Sequence, residues 1–204
     1  MKAILSAYRR DEDRIQGMSL EDFALLLLEA TDERGILYVP DSSWLTREKE
    51  IGSRYLRCLM DWDREAALAL AREAAAAGEV PVGCVIVRDG AVIGRGRNRR
   101  EEKQSVASHA ELEAMAQANA ALGSWRLEDC DLYVTLEPCP MCAGAIVNAR
   151  IRRVFYGARD RAMGACGGVL NLFMEDFPHH PQLVGGILAE DCAQVLSDFF
   201  KKMR

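Results

Sequence analysis

Residues 131–156 read DLYVTLEPCPMCAGAIVNARIRRVFY: an apolar run rich in β-formers, a Pro-Cys-Pro-Met-Cys segment, an apolar run at helical spacing and a second β-rich run. This pattern predicts a strand over Asp131–Leu136, a helix over Cys139–Asn148 and a strand over Arg152–Tyr156. Pro140 is tolerated in the first helical turn because no backbone donor is needed there. Strand, helix and strand at this spacing imply a right-handed crossover between parallel neighbours.

Upstream, Val82–Arg88 and Ala91–Arg97 flank Asp89-Gly90, a strong short-hairpin signal, so an antiparallel pair joins the same sheet. An alanine-rich helix over about Asp63–Ala77 precedes them; Gly78 is its expected C-cap, and Pro81 prevents its continuation. Residues 99–107 are polar and basic and read as a loop, after which Ser108 stands where an N-cap belongs, ahead of a helix from His109 to about Leu122. Downstream come a loop-rich stretch over 158–182, a short strand near Val184–Leu188 and a last helix from about Glu190 to Met203. The fold class is therefore α/β, a mixed sheet sandwiched by helices. Residues 1–59 read as a separate helical extension: Ser19 precedes Leu20, Phe23, Leu26, Leu27 and Ala30, which give one apolar face before Thr31–Pro40 breaks the pattern.

The 204 residues, half of them hydrophobic, suffice for one sizeable core with an appendage. A formal charge of −5 argues against nonspecific coating of nucleic acid, so any such contact must use a local patch. The seven cysteines are odd in number and no signal peptide precedes them, which fits a reduced cytoplasm. No run approaches the roughly twenty apolar residues that span a bilayer, and no membrane association is expected.

His109, Glu111, Cys139 and Cys142 carry the chemistry. Residues two apart on a helix point roughly 200° from each other, so His109 and Glu111 can share the helix's N-terminal end but not a side face. Cys139 and Cys142, three apart, lie on one face of a first turn. Two helix N-termini thus converge on one metal, their positive ends favouring thiolates. Two sulfurs and one imidazole are three ligands; a structural zinc site normally has four, whereas a catalytic one keeps a position for water. Glu111, beside the metal and not bound to it, is the candidate proton carrier. A Cys-x-x-Cys pair also occurs as a structural half-site or redox pair, and Cys84, Cys130, Cys166 or Cys192 would be the fourth ligand; lying in or beside apolar runs, these four also read as small core hydrophobes. His179 and His180, between Pro178 and Pro181, read as ligands or as loop residues.

His-x-Glu followed by Pro-Cys-x-x-Cys resembles the signature of the zinc-dependent cytidine/deoxycytidylate deaminase superfamily. The likeness extends through Gly78–Gly83 (GEVPVG), Leu132–Arg150, Tyr156–Asp160, Gly186–Leu188 and Phe199-Phe200, and within the superfamily these segments look like the bacterial tRNA-specific adenosine deaminases. It covers about residues 60–204, which become the deaminase domain, leaving 1–59 without an assigned role. The resemblance implies a three-layer α/β/α fold with a five-stranded mixed sheet, a homodimer, and hydrolysis of the adenine amine at the tRNA wobble position to give inosine. It implies one Zn²⁺ per subunit on His109, Cys139 and Cys142, with Glu111 as proton shuttle. Asn98 matches the family asparagine that contacts the target nucleotide, although it also reads simply as the end of the second strand; Ala110 and Pro138 frame the backbone expected to meet the base. The chain departs from the family where Ser105-Val106-Ala107-Ser108 replaces Asp-Pro-Thr-Ala and where Pro178-His179 replaces Asn-His.

Basic residues cluster at Arg95, Arg97, Arg99, Arg100 and Lys103, at Arg150, Arg152 and Arg153, and at Lys201, Lys202 and Arg204, where an anticodon loop would be held. Two other functions compete: deamination of free guanine, cytosine or a nucleoside, and a non-enzymatic zinc-binding interaction module. Val-Pro-Val-Gly, Ala-Arg-Ile and the basic Phe-Phe tail favour tRNA over the first; the open position and Glu111 argue against the second.

Overall fold

The computed structural model describes residues 65–203 and the backbone of Ile36–Leu37. The sequence-based helix over residues 20–30 and the domain boundary at residue 60 lie outside the described residues. The elements in chain order are β1 (Ile36–Leu37), α1 (65–76), β2 (Gly83–Arg88), β3 (Ala91–Arg97), α2 (Arg100–Lys103), α3 (Ala110–Leu122), β4 (Asp131–Leu136), α4 (Pro140–Ala149), β5 (Arg153–Ala158), β6 (Gln182–Gly185) and α5 (Ala189–Lys202).

The sheet runs β1-β6-β5-β4-β2-β3, with β2 antiparallel to both its neighbours and the other pairs parallel. Five strands correspond to those expected from the sequence, but the last lies at Gln182–Gly185 and not Val184–Leu188, because Gly186 and Leu188 take positive φ and Leu188 already caps α5. The sixth, Ile36–Leu37, pairs in parallel with β6 and belongs to a region read as a break in a helical extension; a two-residue strand carries too few side chains to display a period. The β2–β3 hairpin turns through Asp89 (φ 51°) and Gly90 (φ 74°), two left-handed positions in sequence that match the right-handed twist of the flanking strands. Gly78, at φ 80°, ends α1 as its sequence position indicates.

Three layers form because the sheet buries both faces. On one side Ala110, Ala114, Met115 and Ala118 of α3 and Ala143 and Ile146 of α4 pack on Cys84, Ile86, Leu132, Val134 and Val154. On the other, Ala66, Leu68 and Leu70 of α1 and Cys192, Val195 and Leu196 of α5 lie among Val85, Tyr133, Phe155, Val184 and Ala158. Each fully buried Leu, Ile or Val in these clusters contributes about 1.5–3 kcal/mol.

Glycines set how closely α3 approaches the sheet. At Gly94 and Gly96 of β3 a methyl group would strike the backbone of α3, at Ala114 and Ala118 and at Ala110 and Ala114 respectively. The strand and the first turn of α3 are therefore in direct backbone contact. The stretch expected as a loop contains the one-turn α2, which buries no residue and so shows no apolar period. No helix among the described residues is long and apolar enough to cross a membrane.

Candidate metal centre

His109 is itself the N-cap of α3 (φ −80°, ψ 152°) and Cys139 the N-cap of α4 (φ −75°, ψ 170°), and neither side chain caps its own helix. This corrects the sequence reading in which Ser108 capped α3 and Cys139 lay inside α4. The reason is local: an extended N-cap backbone aims its side chain off the helix end, and here that direction brings His109 and Cys139 together in place of capping. Pro140 occupies the first helical position, so Cys142 follows within the first turn.

The ligand atoms of His109, Cys139 and Cys142 all lie within 4.8 Å of one another, and among the described residues this is the group that could hold a metal ion. His109 Nδ1 lies 3.7 Å from Cys139 Sγ and 3.5 Å from Cys142 Sγ. Cys142 is fully buried, whereas His109 and Cys139 remain partly accessible. Cys139 is held down to about 4, chiefly by the hydrogen bond to the Cys142 thiol and also by that to His109, against the opposing effect of its burial. The same bond, with burial, pushes Cys142 up. His109 is raised, first by its hydrogen bond with Cys139. Two soft sulfurs and an imidazole suit a borderline-soft divalent ion such as zinc, and three protein ligands leave the set open.

Glu111, 4% exposed, lies beside this group: its carboxyl is close enough to interact with the Cys142 thiol, and burial pushes its pKa above the ordinary carboxylate value. The other cysteines are elsewhere. Cys84, Cys130 and Cys166 belong to the core on the α3/α4 side of the sheet and Cys192 to that under α5. His179 Nε2 lies 2.7 Å from the Ile151 carbonyl and His180 Nδ1 3.2 Å from that of Phe173, so both are loop residues engaged with backbone.

Asn98 follows β3 directly and is buried. The adjacent Arg99 N–H donates to the Ser108 carbonyl at 3.0 Å, tying this segment to the residue before His109. Ala110 is fully buried under β3, and the Pro138 carbonyl accepts the Ala165 N–H at 2.8 Å. Two of the three basic clusters are more neutralised than their sequence suggests. Glu102 pairs with Arg97 and Arg99, Glu113 with Lys103, Glu128 with Arg150, and Asp131 with both Arg152 and Arg153. Arg100 lies close enough to His109 to oppose its protonation.

Two buried acids carry structural weight that sequence reasoning did not assign. Glu79 accepts from Asn98 Nδ2 at 3.1 Å and from the Glu102 N–H at 2.8 Å. Glu137, two residues before Cys139, accepts three backbone N–H groups, from Asp160, Cys166 and Gly168, at 2.7–3.0 Å. Their place inside Glu-Val-Pro and Glu-Pro-Cys was the available signal.

A family model described as MafB19-like deaminase matches residues 60–204. The tRNA-specific adenosine deaminase of Bacillus subtilis is 47% identical over 135 residues, 66% of this chain and 84% of the relative. That of Streptococcus pyogenes serotype M18 is 46% identical over 127 residues, 62% of this chain and 80% of the relative. A solved structure from studies of A-to-I editing by tRNA:A34 deaminases at the wobble position of transfer RNA is 44% identical, with a TM-score of 0.65, over 67% of this chain and 99% of that one.

Proposed function

This chain belongs to the deaminase family, among the tRNA-specific adenosine deaminases, and we propose that it converts adenosine to inosine at the wobble position of tRNA by hydrolysis. The observation that carries the reading is the cluster of His109, Cys139 and Cys142 at two helix N-termini with the buried Glu111 carboxyl against it. In the balanced reaction a water oxygen replaces the exocyclic amine at C6 of adenine and ammonia leaves.

His109, Cys139 and Cys142 would hold one Zn²⁺ per subunit, the two thiolates and a neutral imidazole satisfying a tetrahedral set in part. When bound, zinc lowers the pKa of a water toward neutrality and so supplies a nucleophile at ordinary pH. Glu111 would accept a proton from the attacking water and pass it to N1 of the ring, then accept the second proton from the hydroxyl added at C6 and pass it to the departing amine, which leaves as ammonia; the burial that raises its pKa makes it a better carrier in both directions. Asn98 contacts the target nucleotide at the pocket mouth, and the backbone at Ala110 and Pro138 borders the base. Arg100 adds positive charge near the site for the phosphates of the anticodon loop.

An unpaired anticodon base leaves its loop with little loss of stacking, which suits RNA loops in preference to duplex. Residues 60–204 act as the catalytic unit, as a homodimer in the cytoplasm. The test is a comparison of purified protein on an anticodon stem-loop carrying adenosine at the first anticodon position and on free guanine, cytosine and adenine. Inosine in the stem-loop supports the proposal; efficient turnover of a free base without it would move the chain to the nucleobase deaminases.

A further inference from the structure

Glu79 and Asn98 are both buried, at 1% and 5% exposure. The two oxygens of Glu79 each face a donor: Oε1 accepts the Glu102 N–H at 2.8 Å and Oε2 accepts Asn98 Nδ2 at 3.1 Å. A carboxylate held this way has no donor to offer, so the carboxamide of Asn98 must turn its nitrogen toward Glu79. Its oxygen then points the other way. Among the described residues the sealed side-chain polar atoms without a partner are Arg88 Nε and Asn119 Oδ1; Asn98 Oδ1 is not one of them, and no donor of the described residues reaches it. The backbone of Asn98 is fixed as well, its N–H donating to the Val82 carbonyl at 2.9 Å and the next N–H, that of Arg99, to the Ser108 carbonyl.

We infer that Glu79 is a positioning residue for substrate recognition: it locks the flip of the Asn98 carboxamide so that Oδ1 is the atom presented to the nucleotide, which must supply a hydrogen-bond donor there. This rests on the reading above that Asn98 meets the target nucleotide. Glu79 touches neither substrate nor metal; it acts by removing the alternative orientation, in which a carboxamide nitrogen would face the nucleotide and an oxygen would face a carboxylate. The contact takes no part in the bond changes at the reacting carbon, so it should bind substrate and transition state alike and appear in KM more than in kcat.

The geometry allows a reciprocal exchange as a test. Glu79→Gln alone places an amide nitrogen against one of two donors, and Asn98→Asp alone places two carboxylates together. Combined, they reverse the bond: the new amide at 79 keeps an oxygen for the Glu102 N–H and donates its nitrogen to the new carboxylate at 98, whose other oxygen stays where Oδ1 was. Net charge is unchanged. Using the zinc-loaded full chain on the anticodon stem-loop, each single variant should raise KM about tenfold or more, with kcat within about twofold. The pair should return KM to within a few-fold of the parent. Zinc content and thermal melting of every variant are measured alongside. If a single variant does not fold, recovery of both folding and KM in the pair supports the inference. A folded pair whose KM stays raised, or losses that simply add, would overturn it. Asn98→Ala separates the two levels: unchanged kinetics would remove the nucleotide contact itself and the inference with it, whereas a raised KM without rescue in the exchanged pair would remove only the role of Glu79.

Discussion

Replacing Gly96 by alanine should disturb the metal centre without touching any residue in it. Gly96 lies on β3 where the strand meets the first turn of α3, and a methyl there would overlap the Ala110 carbonyl oxygen and come within 2.5 Å of the Ala114 nitrogen. Both obstacles are backbone, so neither can rotate aside. Ordinary contact begins near 3.4 Å, and strand and helix must therefore separate by roughly 1 Å. Overpacking of this kind costs about 1–3 kcal/mol, which for a chain of this size lowers Tm by roughly 2–12 °C. The displaced turn carries His109 and Glu111, and a misplacement of about 1 Å in a catalytic group costs on the order of 10²-fold in rate. Melting, zinc retention against a chelator and stem-loop deamination should all fall together. Gly144→Ala is the control: it lies in α4, a methyl there meets nothing within 4 Å, and the change should be neutral or stabilising by up to about 1 kcal/mol. Unchanged melting and activity in Gly96→Ala would refute the packing argument.

Glu111→Gln should keep stoichiometric zinc and the melting temperature while inosine formation drops by about 10²–10⁴, since the proton carrier is lost and the ligands are not; turnover near that of the parent would remove Glu111 from its role. Cys139→Ser should lose metal and stability together, read by metal analysis and thermal melting, because the free energy of ion binding is part of folding. Glu137→Gln turns an NH₂ toward at least one backbone donor and should cost about 1.5–3 kcal/mol by denaturant titration, with weaker zinc retention because the loop it gathers also bonds to the Pro138 carbonyl beside Cys139. A chain beginning at residue 60 lacks the Ile36–Leu37 strand beside β6 but retains every ligand, and should bind zinc and deaminate the stem-loop like the full chain; a large loss of deamination with zinc and fold intact would give the extension a part in substrate binding.

Much of the site was legible because its residues are rare types at chemically meaningful spacing: His109, Glu111, Cys139 and Cys142 are named by the sequence and gathered by the fold. The turns at Gly78 and Asp89-Gly90 were equally open to reading, since positive φ restricts the residues that fit. Ser108 misled because its type suits an N-cap, whereas the cap position is one residue later, at His109. Glu79 and Glu137 were legible only by their place in Glu-Val-Pro and Glu-Pro-Cys, not by their partners, which lie about 20–30 residues away and are mostly backbone donors that leave no mark on composition. Nor do Arg97, Arg99 and Lys103 announce their acidic partners: Glu102 is adjacent, but Glu113 reaches them only once α3 packs beside α2. Basic clusters read from sequence therefore overstated the positive surface, and Arg100 near His109 is the better-placed charge.

The central claim is tested most directly by digesting an anticodon stem-loop to nucleosides after incubation with the zinc-loaded protein and identifying the nucleoside from the first anticodon position by mass. The account predicts inosine at that position, adenosine unchanged elsewhere in the loop and in a duplex control, and no conversion with Glu111→Gln. Adenosine left intact at that position by zinc-replete, folded protein would contradict it.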